Sequence, residues 1–151
     1  MGFMSYLNTR SIATTVFIVA TLLFSDLLNS NVNNAKESNS RVYIVSPKND
    51  SVVKSPVEII FGIDEIKLAP AGTYEPKTGH HHLIIDGDLP ELKMPIPNNA
   101  KHLHFGKAQD RVILELELGT HTLQLLLGDG NHVPHSPPLT SKRIEITVIK
   151  N

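Results

Sequence analysis

Apolar and polar residues alternate in several short segments after position 40, which is the pattern of β-strands with one buried face. Segments rich in Pro, Gly, Asn and Asp separate them, at 68–78, 89–101 and 128–138, and are predicted to be loops. The predicted strands are Arg41–Ser46, Val57–Ile63, His80–Asp86, Val112–Leu118, His121–Leu127 and Lys142–Ile149. The pattern therefore predicts an all-β domain, an antiparallel immunoglobulin-like β-sandwich of about seven strands.

The clearest alternation lies in residues 112–127. Its first half places leucines on one face and Glu115 and Glu117 on the other, which is typical of a strand between a core and solvent. Gly119-Thr120 then offers a turn, after which apolar residues again occupy every second position. The sequence therefore predicts that 112–118 and 121–127 pair as neighbouring strands.

The N-terminal segment has a different pattern. Ile12–Phe24 is apolar and uncharged, and the short stretch before it has Arg10 as its only charge. This length is typical of a signal peptide, while Asp26 interrupts the run before the roughly 20 apolar residues of a membrane-spanning helix. A good cleavage motif is missing, so a cleaved signal and an uncleaved anchor helix both stay open. We predict a signal or anchor at 1–30, a polar tether at 31–40 and the β-sandwich at 41–151, in a periplasmic or secreted protein that could remain anchored to the membrane.

Composition excludes several classes of function. The chain has no cysteine, which excludes a disulfide framework, a thiolate ligand, a thiol nucleophile and a lipid-modified cysteine. The net charge of −1 gives no electrostatic attraction toward nucleic acid or an anionic membrane surface. We therefore expect no nucleic-acid partner, and contact with a membrane only through the N-terminal segment.

Histidine is the unusual feature of the composition, because all eight lie between His80 and His135. Residues two apart in a strand point to the same face about 7 Å apart, so a His-x-His pair can chelate one ion. A turn can likewise bring together two histidines three positions apart. The predicted metal ligands are His80, His82, His104, His132 and His135, with His81, His102 and His121 as further candidates. For His121, at the predicted corner, a purely structural role is the alternative.

Neutral imidazole binds copper, zinc, iron and nickel, and an all-histidine site without thiolates fits copper well. Structural zinc more often uses cysteine, so we expect copper, as Cu²⁺ or Cu⁺, with zinc possible. The leading hypothesis is an exported protein for carriage, buffering or delivery of copper, with another exported copper protein as a possible partner. The alternatives are a copper-dependent redox enzyme and a pH-sensitive interaction module without metal.

Four acidic residues and one methionine lie near the histidines in sequence. The carboxylates could orient imidazoles through the nitrogen that does not bind metal, or they could simply cap turns, which we favour for Asp86 and Asp129 because each precedes a glycine. Met94 could be a soft ligand for Cu⁺ or a packing residue in a proline-rich loop. The acidic residues are Asp86, Asp88, Asp110 and Asp129.

Four motifs in order resemble a family of short exported bacterial domains of unknown function. They are Gly79-His80-His81-His82, His104-Phe105-Gly106-Lys107, the His121-Thr122-Leu123-Gln124-Leu125 segment, and His132-Val133-Pro134-His135-Ser136-Pro137-Pro138. This resemblance implies export and one compact β domain, and it implies no activity. His-x-His motifs on an immunoglobulin-like sandwich are also similar to copper–zinc superoxide dismutases, although the cysteines of that family are absent here.

Overall fold

The computed structural model describes residues 1–2 and 41–151, and the second range forms nine β-strands. They are β1 (Arg41–Ser46), β2 (Ser51–Lys54), β3 (Val57–Asp64), β4 (Lys67–Leu68), β5 (Thr78–Ile85), β6 (His102–His104), β7 (Arg111–Leu114), β8 (Gly119–Gly128) and β9 (Ile144–Ile149). The described residues contain no helix, which confirms the all-β prediction. A helix able to cross a membrane is accordingly not found among them. The predicted signal or anchor at 1–30 and tether at 31–40 lie outside the described residues, apart from the first two.

The strands form two sheets that share one hydrophobic core. Three strands form the first sheet in the order β1-β3-β7, and the second has the order β2-β9-β8-β5-β4, with β6 paired to β5. Apolar residues of both sheets meet between them, and burial of such side chains contributes roughly 1.5–3 kcal/mol each. The core residues are Val42, Val57, Ile59, Phe61, Leu83, Phe105, Leu123, Leu125, Leu127, Ile146 and Val148.

The sheets are not purely antiparallel, which corrects the predicted arrangement. The short strand β2 runs parallel to β9, and β4 runs parallel to the start of β5. The other pairs, β1–β3, β3–β7, β5–β6, β5–β8 and β8–β9, are antiparallel. Alternation along one strand records which face is buried and contains no information on the direction of its neighbour, so the sequence pattern could not reveal the parallel pairs.

The predicted pairing of 112–118 with 121–127 is wrong. β7 ends at Leu114 and pairs with β3 of the first sheet, whereas β8 pairs with β5 and β9 of the second. Residues 115–118 connect one sheet to the other. Within this connection Leu116 packs against the core, whereas Leu118 is 64% exposed. Both segments alternate because both face the same core from opposite sides.

The central strand β5 is buried on both faces. Its inner face contributes Leu83 to the main core, and the ring of His81 lies 5.1 Å from that of Phe61. On its outer face, Ile84 packs with Leu126 and with Ile96 from the long 89–101 connection. The second sheet is therefore covered by loops on its outer side, and His80 and His82 are buried in that outer layer.

Candidate metal centre

Strand β5 directs two imidazoles to one face of the second sheet. His80 and His82 are two positions apart, so they share the outer face, and both are 0% exposed. Their register partners on β8 are Gly128 and Leu126, respectively. The sequence prediction that His80 and His82 point the same way is therefore confirmed.

A third imidazole comes from β6, on the other side of β5. His104 is the register partner of His82, and its ring centre lies 5.0 Å from those of His80 and His82. Directly opposite residues on neighbouring strands point to the same face of a sheet, which explains why His104 joins this group. Its side chain is only partly buried.

The fourth imidazole is held by the loop that follows β8. His132 has a left-handed backbone with φ of 67°, its N–H donates to the Asp129 carbonyl at 2.9 Å, and its own carbonyl accepts from Ile96 at 2.8 Å. The carboxylate of Asp129 accepts from the N–H groups of Asn131 and Val133 at 2.8 and 2.9 Å. These bonds fix the loop so that the His132 ring centre lies 5.0 Å from that of His80 and 4.7 Å from that of His104.

Three of these residues lie close enough together to hold a metal ion. Each of His80, His104 and His132, here called the histidine trio, offers one ring nitrogen within 4.8 Å of those of the other two. With His82, whose Nε2 lies 3.2 Å from Nε2 of His80, they form what we call the histidine cluster. Three separate chain segments therefore converge on one small volume.

Burial keeps the innermost imidazoles neutral. Burial, followed by the proximity of His104, lowers the pKa of His80 from 6.5 to about 4. Burial and then His80 lower the pKa of His82 to about 3, and burial together with His132 lowers the pKa of His104. A neutral imidazole has a free lone pair, which is the form that binds a metal ion.

Several ring nitrogens of the histidine cluster are buried without a partner. Within the described part of the chain, Nδ1 of His80, Nδ1 of His82 and Nε2 of His104 make no hydrogen bond. Buried polar atoms in proteins are nearly always paired, and leaving one unpaired costs about 1–3 kcal/mol. An ion takes one nitrogen of each ring, so it would pair Nε2 of His104, but it would pair Nδ1 of His80 and His82 only if those two rings turned.

Two glycines make room for the cluster, and neither is among the site residues predicted from the sequence. A β-carbon on Gly106 would occupy the position of the His104 ring, and one on Gly128 would lie 3.0 Å from Nε2 of His82 and 3.3 Å from the His132 backbone. The available signal was the position of each glycine, two residues after His104 and four before His132. That spacing shows proximity in sequence, but only the fold shows which ring each glycine accommodates.

The remaining histidines lie outside the cluster. Both nitrogens of His102 approach oxygens, of Asn99 at 3.2 Å and of the Asp88 carbonyl at 3.1 Å. His81 points into the main core, where burial lowers its pKa to about 4. His135 packs against Gly79, where a β-carbon would lie 2.9 Å from its Nε2. The ring of His135 borders a cavity of about 240 Å³, which no residue of the histidine trio lines.

The contacts of His121 fit a structural role, which was the alternative to a role as a metal ligand. Its Nδ1 lies 2.7 Å from the Asp86 carboxylate and its Nε2 lies 3.0 Å from the Glu117 carbonyl, so both nitrogens donate when the imidazole is charged. Burial opposes the charged form, but these two acceptors outweigh it and raise the pKa of His121. Asp86 also accepts from the Thr122 N–H at 2.8 Å, so it caps the turn and orients an imidazole at once.

The other polar candidates are placed away from the cluster or act through the backbone. Asp88 pairs with Arg143 at 3.3 Å and Asp110 with Arg111 at 3.1 Å. Met94 is 58% exposed in the 89–101 connection. Asp129 forms the turn expected of it, and through that turn it positions His132.

Comparison with known families adds one finding. Residues 59–149 match the family described as Domain of unknown function (DUF4399). The chain belongs to the DUF4399 family. This agrees with the resemblance to a domain of unknown function, and the matched range contains all eight histidines and β4 to β9. No curated protein and no solved structure matches this DUF4399 chain.

Proposed function

We propose that this domain binds one copper ion through His80, His104 and His132 and serves in carriage, buffering or delivery of copper outside the cytoplasm. The observation that supports it is the convergence of three ring nitrogens within 4.8 Å of one another. The predicted export and the immunoglobulin-like topology of the sandwich belong to the same proposal.

A metal ion explains the burial of these imidazoles better than a structural role does. Of the histidines outside the cluster, His102 and His121 place both nitrogens near oxygen acceptors, whereas His81 has two unpaired nitrogens in the apolar core. The buried members of the cluster instead have other imidazoles as their neighbours. Burying polar groups without such compensation is costly, whereas coordination uses the lone pair of each ring.

Copper is favoured by the chemistry of the donors. The three donors are neutral imidazoles, so the site adds no negative charge to the ion, unlike the oxygen-rich sites of magnesium and calcium. Among divalent first-row ions, affinity for such nitrogen sites is highest for Cu²⁺. Zinc has the same ligand preference and must be compared directly. The redox-enzyme alternative remains a prediction from sequence.

The test is a metal titration of the full chain after treatment with a chelator. We expect binding of one copper ion per chain, with Zn²⁺ binding more weakly, and loss of tight binding in His132→Asn. His102→Gln is the matched control, because it removes an imidazole outside the histidine cluster. His135→Ala is expected to bind copper like the parent. Absence of stoichiometric copper binding by the parent, or parental affinity in His132→Asn, would show that the proposal is wrong.

A further inference from the structure

The geometry points to a fourth ligand, His82, and to a tetrahedral site that selects a cation with a filled d shell, which for copper is Cu⁺. This inference rests on the function proposed above and specifies its cargo. It concerns the number of ligands and the oxidation state of the ion, neither of which the histidine trio alone determines.

The ring centres of the histidine cluster form a tetrahedron with one long edge. Four of the six distances between them are 5.0 Å, and the other two are 4.7 Å for His104–His132 and 6.1 Å for His82–His132. Four imidazoles bound tetrahedrally with metal–nitrogen distances of about 2.0–2.1 Å have ring centres roughly 5.2 Å apart. A square-planar set would instead give roughly 4.5 Å for neighbours and roughly 6.3 Å for both opposite pairs. Five of the six observed distances fit the tetrahedron, and only one of the two opposite pairs has the length that a square plane requires.

The nitrogen atoms of the two β5 histidines agree with this shape. Nε2 of His80 and Nε2 of His82 are 3.2 Å apart. Two nitrogens at tetrahedral positions around one ion with bonds of about 2.0–2.1 Å are roughly 3.3–3.4 Å apart. In the metal-free protein, one of these nitrogens can donate its proton to the other, and an ion placed between them would replace that proton.

His82 is not among the three residues whose ring nitrogens already lie within 4.8 Å of one another, so it must approach His132 to become a ligand. The long edge of the tetrahedron joins it to His132, which belongs to the loop after β8 and not to a strand. Gly128 lies between these two residues, with its would-be β-carbon 3.0 Å from His82 and 3.3 Å from the His132 backbone. The absence of a side chain at residue 128 leaves the space in which the two rings can approach each other.

Tetrahedral nitrogen coordination determines which ions fit. Cu²⁺ prefers square-planar or tetragonal arrangements, whereas ions with a filled d shell, such as Zn²⁺, have no geometric preference from d electrons and commonly bind as tetrahedra. Cu⁺ has the same filled shell, so copper bound by all four ligands would be in its reduced form, with Zn²⁺ as its direct competitor. Four protein ligands also leave no open position for a substrate, which favours binding and delivery over catalysis.

X-ray absorption of the full chain loaded separately with Cu⁺ under anaerobic conditions and with Zn²⁺ tests the coordination number without a substitution. We expect four imidazole nitrogens around each ion. Competition titrations of His82→Asn should then show at least roughly tenfold weaker Cu⁺ binding and a smaller loss for Cu²⁺, since three ligands and water can adopt a tetragonal arrangement. His102→Gln is again the control, and its Cu⁺ affinity should equal that of the parent.

The outcomes separate this inference from the proposed function. Three nitrogens in the parent, or equal losses of Cu⁺ and Cu²⁺ affinity in His82→Asn, would overturn the fourth ligand while leaving the histidine trio as a copper site. Binding of Zn²⁺ but not Cu⁺ with four nitrogens would support the geometry and overturn copper as the cargo. Absence of binding for every ion would overturn both proposals. If His82→Asn fails to fold, the coordination number of the parent still decides.

Discussion

The imidazole of His104 lies over the backbone of Gly106, in space that a β-carbon on residue 106 would occupy. Gly106→Ala should therefore displace the ring of His104 from the histidine cluster. Gly106 does not have a left-handed φ, so alanine is compatible with the backbone. We expect copper affinity to fall at least roughly tenfold, the size of effect seen when a ligand loses its support, while the free energy of unfolding of the metal-free protein changes by less than about 1 kcal/mol.

A double-mutant cycle controls this prediction. In a chain that already has His104→Asn, the further change Gly106→Ala should leave copper affinity unaltered, because the ring that the methyl group displaces is gone. An equal loss in both backgrounds would mean that Gly106 acts through something other than His104.

The left-handed backbone of His132 allows its role as a metal ligand to be separated from its role in the loop conformation. Asn tolerates φ near 67° better than Ala does, because its short polar side chain is favoured in this region. His132→Asn and His132→Ala should both lose tight copper binding, but the metal-free Asn variant should be more stable by about 1 kcal/mol. Chemical denaturation of both variants measures this difference. Equal stabilities would show that the loop relaxes to another conformation when the imidazole is removed.

The three buried histidines of β5 predict a pH dependence of stability. Burial lowers the pKa of His80 and His81 to about 4 and that of His82 to about 3, against 6.5 in an unfolded chain. The unfolded state therefore binds protons more readily below pH 6.5. The stability of the metal-free protein should be full above pH 6.5 and fall as the pH drops toward 4, by up to about 1.4 kcal/mol per pH unit for each histidine. Denaturation curves recorded from pH 7.5 to 4.5 would contradict this if they coincided.

The His121–Asp86 pair predicts the opposite dependence on the basic side. The pKa of His121 is raised and that of Asp86 is lowered, the latter by the Thr122 N–H and His121 despite some burial. The contribution of His121 is full below 6.5 and is lost as the pH rises through its raised pKa, while that of Asp86 is full above 3.8 and is lost at lower pH. The stability gap between the parent and His121→Gln should therefore be largest between these limits and shrink above pH 7. A constant gap would contradict the ion pair.

The predicted domain boundary can be tested by truncation. Strand alternation begins at Val42, and β1 starts at Arg41. A chain that begins at Ser40 should be soluble, unfold cooperatively on heating and show a β-type circular dichroism spectrum. Aggregation of this chain, or loss of cooperative unfolding, would show that the N-terminal apolar segment contributes to the core.

Local periodicity was sufficient to predict that His80 and His82 share one face of β5, since a period of two residues places them together in any strand. It was not sufficient to predict which other histidines join them. His102 and His104 share the same spacing, yet His102 is held by Asn99 and Asp88, and only His104 meets His82 across the β5–β6 register. Such selection depends on contacts between residues far apart in sequence.

The same limit explains the wrong pairing of 112–118 with 121–127. Two adjacent alternating segments with a glycine between them satisfy the local requirements of a hairpin, but they satisfy equally those of two strands facing each other across a core. Leu114 ends β7 and pairs with Val57, so the pairing of this strand depends on a residue more than fifty positions away in sequence. The conformation of His132 likewise depends on a bond from Ile96 that no local pattern indicates.

The histidine trio comes from β5, β6 and the loop after β8, in a chain without a single cysteine. An ion bound by all three would cross-link these segments and close two loops of the chain. Disulfides have the same effect in many small exported domains. Unlike a disulfide, this cross-link would dissociate, and its stabilising effect would follow the concentration of free ion. Resistance to unfolding, and with it resistance to proteases, would then rise and fall with the metal supply. The abundance of the protein would then depend on the concentration of free metal ion around it.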